Sequence, residues 1–251
     1  MRARHLAAFA LLLVLGGCYW RIAHEPMPFV AYGDLGPERA RGAIVLLPGF
    51  ASKPEDFDAH GFIEILRRNA PAYDVVAADA HFGYYNKATL LTQLHASVIG
   101  PLVARGYREL WIAGVSMGGH GAVAYARSYP ERIKGLLLFA PYLGPDDVVQ
   151  EVTQAGGVCN YTTLTPPPQT RYGFAQANFL WLEDVLCMKP PKLSVWVAVG
   201  DRDQGQRELL RPALAPDHYV VLPGGHDWGA WIPALEQISR RVFADASASV
   251  R

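Results

Sequence analysis

Gly114-Val115-Ser116-Met117-Gly118 is a G-x-S-x-G pentapeptide between an apolar run, Leu110–Ala113, and a helical stretch, Met117–Ser128. A strand–turn–helix context of this kind lifts a serine hydroxyl to the rim of a sheet, at a helix N-terminus whose dipole favours developing negative charge. The glycines answer a steric need, because the turn is tight and a Cβ beside it would meet neighbouring backbone. The chemistry open to such a hydroxyl is attack on an acyl carbonyl, and for that it needs a base.

Of the eight histidines, His226 is best placed to be that base. It stands in Gly224-Gly225-His226-Asp227-Trp228, after the last apolar run, Tyr219–Leu222, where a loop can swing an imidazole over Ser116. His120 lies four residues past Ser116 inside the helical stretch and reads as structural. His81 follows a strand end at Ala80 and stands where it could line a pocket. His24, His60, His95 and His218 read as surface or packing residues, and His5 belongs to the N-terminal signal described below. The imidazole in turn needs a carboxylate to hold its tautomer and stabilise imidazolium. Gly200-Asp201-Arg202-Asp203 follows the run Leu193–Val199. Loop position favours Asp203, with Asp201 as competitor and Asp146 or Asp147 a distant third, whereas Asp227 reads as a loop-fixing residue. A tetrahedral intermediate also needs N–H donors. The backbone of Met117 supplies one, and the backbone of Phe50, in Pro48-Gly49-Phe50 after the run Ala43–Leu47, supplies the other.

These residues have to be carried by a scaffold. The chain has 251 residues, 51% hydrophobic and 18% charged, enough apolar material for a sizeable core. Its 23 basic and 23 acidic residues cancel, so no basic excess argues for nucleic acid. Runs at Ala43–Leu47, Tyr73–Ala78, Leu110–Ala113, Gly135–Ala140, Leu193–Val199 and Tyr219–Leu222 are apolar at almost every position, as in a parallel sheet covered on both faces. Helical stretches alternate with them at Glu55–Asn69, Ala88–Arg105, Met117–Ser128, Gln206–Leu214 and Trp228–Ala244. The expectation is a doubly wound, mostly parallel α/β domain with its site on the rim where the strands end. The core is assigned to 43–142 and 191–244, behind a leader at 18–42 with one short strand at Phe29–Tyr32. Residues 143–190, rich in proline and aromatics, read as a small cap insertion, and 245–251 as a flexible tail. No metal-ligand spacing and no dinucleotide fingerprint is present, so neither a metal nor a cofactor is expected.

LLPGF, GVSMGGHGA, GDRD and GGHDW together resemble the α/β-hydrolase superfamily, over roughly residues 43–243. SMGGHGA with GGHDW is particularly similar to its esterase D and feruloyl-esterase-like branch. The order of serine, acid and histidine is also that of the superfamily. The resemblance implies a cofactor-free serine carboxylesterase or acyltransferase acting through an acyl-enzyme. The departure is Pro48, where many members carry histidine.

The N-terminus carries a second resemblance. Residues 1–17 combine a basic start, MRARH, with a ten-residue apolar run, Leu6–Leu15. That run is too short to span a bilayer and fits a secretory signal, the alternative being a buried or interfacial helix. Leu15-Gly16-Gly17-Cys18 then resembles the bacterial lipobox. It implies cleavage before Cys18, diacylglycerol on its sulfur, further acylation (palmitate or similar), and attachment to an envelope membrane through several chains. Tyr19 in place of aspartate favours the periplasmic side of the outer membrane in a cell with two membranes. An exported chain meets an oxidising space. With Cys18 on lipid, Cys159 and Cys187, 28 residues apart, remain as an even pair. A disulfide is therefore expected over two independent thiols.

The leading expectation is thus a lipid-anchored hydrolase of carboxylic or thioesters with a Ser116–Asp203–His226 triad, acting on a small-molecule or lipid ester. One alternative is an acyltransferase onto an envelope sugar or lipid. The other is a binding lipoprotein that keeps the fold without the catalysis.

Overall fold

The computed structural model describes residues 21–34, 36–203 and 208–244. The signal at 1–17, Cys18 and the tail at 245–251 lie outside the described residues. Seven strands form one sheet in the order β1-β3-β2-β4-β5-β6-β7: β1 Phe29–Ala31, β2 Gly42–Leu47, β3 Tyr73–Ala78, β4 Glu109–Val115, β5 Gly135–Phe139, β6 Ser194–Gly200 and β7 Tyr219–Leu222. All neighbours are parallel except β1, which pairs antiparallel with β3. Every residue of β2, β3 and β5 is buried, which is why those runs are apolar throughout.

The period of two along each strand divides the core in two. Val45 and Leu47 of β2, Leu110 and Ile112 of β4, and Leu136 and Leu138 of β5 share one apolar cluster. Ile44, Leu46, Trp111, Ala113, Leu137 and Phe139 share the other. The second face is covered by α1 (Asp56–Ala59), α2 (Phe62–Asn69) and, near the C-terminus, α9 (Trp228–Val242). The first is covered by α3 (Phe82–Asn86), α4 (Leu90–Leu94), α5 (Gly100–Ala104), α6 (Met117–Ser128), α7 (Asp146–Gln154) and α8 (Arg171–Leu186). No helix among the described residues is long and apolar enough to cross a membrane.

Three helical expectations need refinement. The stretch Glu55–Asn69 is two helices, because Gly61 turns left-handed at φ 83° between them. Ala88–Arg105 holds a π-helical turn, His95–Ile99, between α4 and α5. Of Gln206–Leu214, the described part contains only a 3₁₀ turn, Arg211–Ala213, with Pro212 removing a backbone donor near its start.

The stretch 143–190 is more than a cover. Adjacent parallel strands need a crossover over one face of the sheet, and α8 supplies it between β5 and β6. Its Ala175, Phe179, Leu182, Val185 and Leu186 lie in the same cluster as the β2, β4 and β5 side chains. Val148 and Val152 of α7, with Val158 and Tyr161, join them. Most of the apolar residues of this stretch therefore complete the main core, while the proline run 166–168 and the fully exposed Leu164 lie in the loop ahead of α8. The expected disulfide is formed: Cys159, in the 3₁₀ turn Val158–Asn160, bonds Cys187 at the end of α8, with 5.5 Å between Cα atoms.

His120 of α6 is wedged among the rings of Tyr85, Tyr142 and Phe174, at 6.5, 5.7 and 5.7 Å between centroids. Desolvation pushes its pKa down to about 4, with Arg127 and Arg171 acting in the same direction against a hydrogen bond with the Leu143 backbone. His81 is lowered too, first by burial and then by Arg21.

Two outcomes are expected. Replacing Cys159 and Cys187 together by serine should cost about 3.5 kcal/mol by loop-closure entropy, read by urea unfolding, and a loss below about 1 kcal/mol would contradict that share. An unfolded histidine binds its proton near pH 6.5, whereas folded His120 does so only near pH 4. The unfolded state therefore holds the extra proton between those values, and stability falls as pH drops from 6.5 to 4. The His120→Gln variant should flatten that limb in denaturation curves at pH 4.5 and 7, leaving the slope due to other shifted groups such as His81.

Candidate active site

Ser116 is the single residue between β4 and α6, at φ 52°, ψ −115°. A non-glycine residue there is strained, and the surroundings hold it. Its N–H donates to the Phe139 carbonyl at the end of β5 (2.8 Å). Its carbonyl accepts from Tyr142 and from Gly119, both at 2.9 Å. Two glycines make room for the turn. A Cβ on Gly114 would lie 2.4 Å from the Gly118 carbonyl oxygen, and one on Gly118 would lie 2.1 Å from that of Leu47. The sequence places small residues here because the backbones of β2 and α6 touch.

The loop after β2 lies against this turn. A Cβ on Gly49 would be 3.6 Å from Ser116 Cβ. Phe50 follows, 40% exposed, its ring tilted against Phe82 at 4.8 Å. Met117 opens α6, and its carbonyl accepts from the Tyr85 hydroxyl at 3.0 Å. That tyrosine is one of the residues the sequence did not single out. Burial pushes its phenol up, so it stays a hydroxyl donor. Phe82 is another, and Tyr142 a third. Phe82 and Tyr85 lie on α3 and Tyr142 follows β5, and all three meet the site only through the tertiary fold.

The two aspartates after β6 have different partners. Asp203, 7% exposed, has its Oδ2 2.8 Å from His226 Nδ1. A carboxylate can only accept, so Nδ1 carries the proton and Nε2 keeps its lone pair. Asp201 Oδ1 accepts from the Gly224 N–H at 2.9 Å and so shapes the loop that carries His226. Asp227 caps α9, accepting from Gly229 N–H at 2.8 Å and, through its other oxygen, from Gly225 N–H at 3.3 Å. Asp146 and Asp147 sit in the first turn of α7, where their charge suits the helix dipole. His226 is set edge-on to Trp231 at 5.3 Å.

The other histidines are engaged elsewhere. His81 is buried and caps α3, accepting from Gly83 N–H at 3.1 Å, so it seats a helix. His60 stacks on Trp228, His95 on Tyr129 and His218 on Trp196. A run of backbone hydrogen bonds joins the strand ends: Ser116 N–H to Phe139, Ala140 N–H to Ala198, and Asp201 N–H to Leu222. The serine, aspartate and histidine loops therefore share one rim of the sheet.

The chain matches the Esterase family over residues 67–242, a span containing Ser116, Asp203 and His226. No curated protein matches it in sequence. In structure it is similar to Est1E from Butyrivibrio proteoclasticus, with a TM-score of 0.57 at 16% identity, over 91% of this chain and 98% of that one. It is also similar to an S-formylglutathione hydrolase from Agrobacterium tumefaciens, with a TM-score of 0.53 at 15% identity over 90% and 93%. The thioesterase domain from the curacin biosynthetic pathway gives 0.53 at 17% identity over 85% and 94%. At such identities these likenesses speak to the fold, which is the α/β-hydrolase fold expected above. Sheet order, a strained serine after β4 and a family match over well over half of the sequence converge, and the chain belongs to the Esterase family, a serine-carboxylesterase-like α/β-hydrolase.

Proposed function

We propose that Ser116, His226 and Asp203 form the catalytic triad of a two-step ester hydrolysis. The observation that carries the reading is the 2.8 Å contact between Asp203 and His226 Nδ1, which leaves Nε2 as the basic nitrogen. In the first step Ser116 Oγ bonds to the ester carbonyl carbon while His226 Nε2 takes its proton. The carbonyl electrons move to oxygen, which the N–H groups of Met117 and Phe50 stabilise. Collapse of that intermediate breaks the bond to the leaving alcohol or thiol, and His226 returns the proton to it. In the second step water attacks the acyl-serine, His226 takes the water proton, and the acid leaves as Ser116 regains its hydrogen. Oxygen esters and thioesters both fit this sequence. The neighbouring Est1E structure is described with ferulic acid bound, and other neighbours are named as thioesterase and S-formylglutathione hydrolase.

The same reading places the enzyme on an envelope membrane, through acylation of Cys18 after removal of residues 1–17. The lipobox-like Leu15-Gly16-Gly17-Cys18 and the cysteine pairing of an exported chain support it.

A fluorophosphonate probe should label Ser116 in the wild type and leave Ser116→Ala unlabelled, as read by peptide mapping. A folded wild-type protein that takes no label would favour the binding-lipoprotein alternative. Asp203→Asn should lower kcat for a 4-nitrophenyl ester on the order of 10⁴-fold, as loss of the orienting carboxylate does in such triads. Asp201→Asn keeps an oxygen acceptor for Gly224 and should change kcat by less than about 10-fold. Equal losses in the two variants would overturn the assignment of the acid. The Cys18→Ala variant should move from the membrane to the soluble fraction and lose incorporation of radiolabelled palmitate.

A further inference from the structure

The antiparallel first strand brings the N-terminal leader to the catalytic rim. In β1, Phe29 pairs with Ala78, the last residue of β3, so the chain enters where the parallel strands end. The leader before it is fastened there. Arg21 pairs with Asp79 at 2.6 Å, and its carbonyl oxygen would be 2.4 Å from a Cβ on Gly83 in α3. The His24 N–H donates to the Tyr84 hydroxyl at 3.0 Å, and that hydroxyl donates back to the His24 carbonyl at 2.8 Å. The Met27 N–H donates to Ser97 Oγ at 2.9 Å. Phe82, which opens α3, packs its ring on that of Phe50, the residue after the Gly49 that lies against Ser116. Arg21 is three positions after Cys18, and three residues reach at most about 11 Å.

We propose that this short, docked leader holds the catalytic rim against the bilayer, so that Ser116 takes its substrate from the membrane: an ester with a long acyl chain embedded in the lipid. The inference rests on the proposed acylation of Cys18 and on Ser116 as nucleophile. Its second support is that four of the seven exposed large apolar side chains among the described residues share this rim, the others being Leu164 ahead of α8, Met188 after it and Val221 in β7. Ile22 (69%) lies in the leader, Phe29 (50%) opposite the end of β3, Phe50 (40%) after β2 and Tyr142 (36%) after β5. All four belong to the rim that carries Ser116. Facing water they are a cost, and facing acyl chains they are a gain of apolar contact. Arg21, the first charged residue after Cys18 in sequence, is neutralised by Asp79.

The test uses the full, lipidated protein in phosphatidylglycerol–phosphatidylethanolamine vesicles. It compares wild type with a variant carrying twenty Gly/Ser residues between Trp20 and Arg21, an insert whose r.m.s. span is about 25 Å. Two substrates are followed, a fluorogenic palmitoyl ester partitioned into the vesicles and soluble 4-nitrophenyl acetate. The insert should lower the rate on the embedded ester at least 10-fold and leave the acetate rate within 2-fold. In parallel, a fluorophore on Ile22→Cys should be quenched by spin-labelled lipid, and one on Arg132→Cys, ahead of β5 on the far rim, should not. Lipid on Cys18 by mass spectrometry, with both rates unmoved by the insert and equal quenching at the two sites, would overturn the orientation alone. Unmodified Cys18 would overturn the anchor and the orientation with it, and absence of acetate hydrolysis would overturn the serine-hydrolase reading on which both substrates depend.

Discussion

The left-handed backbone of Ser116, φ 52° and ψ −115°, is the constraint around which the rest of the protein is arranged. Such a conformation costs on the order of 1–3 kcal/mol for a residue with a Cβ. It persists because both of its peptide groups are bonded, the N–H to the end of β5 and the carbonyl to Tyr142 and Gly119. It persists also because Gly118 lets α6 press onto the carbonyl of Leu47. The same close approach sets the Gly49-Phe50 loop beside the serine. Strain at one residue and the placement of a neighbouring loop thus follow from a single backbone contact.

The rim is rigid for a similar reason. Each strand end is bonded to the next, from Ser116 through Phe139 and Ala198 to Leu222, and both sheet faces are packed. Asp203 and His226 stand on loops only a few residues past β6 and β7, and Asp201 ties those loops together through Gly224. A carboxylate that is nearly fully buried and bonded to an imidazole Nδ1 can do little except orient it. The exposed side of the rim is apolar at Phe50 and Tyr142, so Ser116 lies between a polar, bonded floor and an apolar edge.

The stretch 143–190 shows how a composition signal can be read too narrowly. Prolines and aromatics between β5 and β6 point to an insertion. Yet a parallel pair must be joined by a crossover, and α8 is that crossover, with Phe179 and Leu182 inside the core. Its aromatic residues serve two ends. Phe179 packs with Tyr161 under the disulfide-linked turn, while Phe174 faces His120 of α6. Only distance in space, not spacing along the chain, separates these roles.

What the sequence determined by itself is what depends on short-range order. The alternating apolar runs specified strands and helices, because a buried strand and a covering helix each need a local pattern. G-x-S-x-G announced the turn, because a tight strand-to-helix turn needs glycine within two residues of the serine. The order of serine, acid and histidine followed from loops directly after strands. The even cysteine pair followed from counting once Cys18 was set aside. What only the tertiary structure decided are contacts between segments far apart in sequence. It put Asp203 rather than Asp201 on His226, both aspartates meeting the loop after β7 but Asp201 bonding the Gly224 N–H instead of the imidazole. It recruited Tyr85, Phe82 and Tyr142 to the site and withdrew His81 to cap a helix. It brought the leader to the rim that carries Ser116, because one antiparallel strand reverses the end at which the chain enters, and strand direction is a property of pairing, not of any residue in Phe29–Ala31.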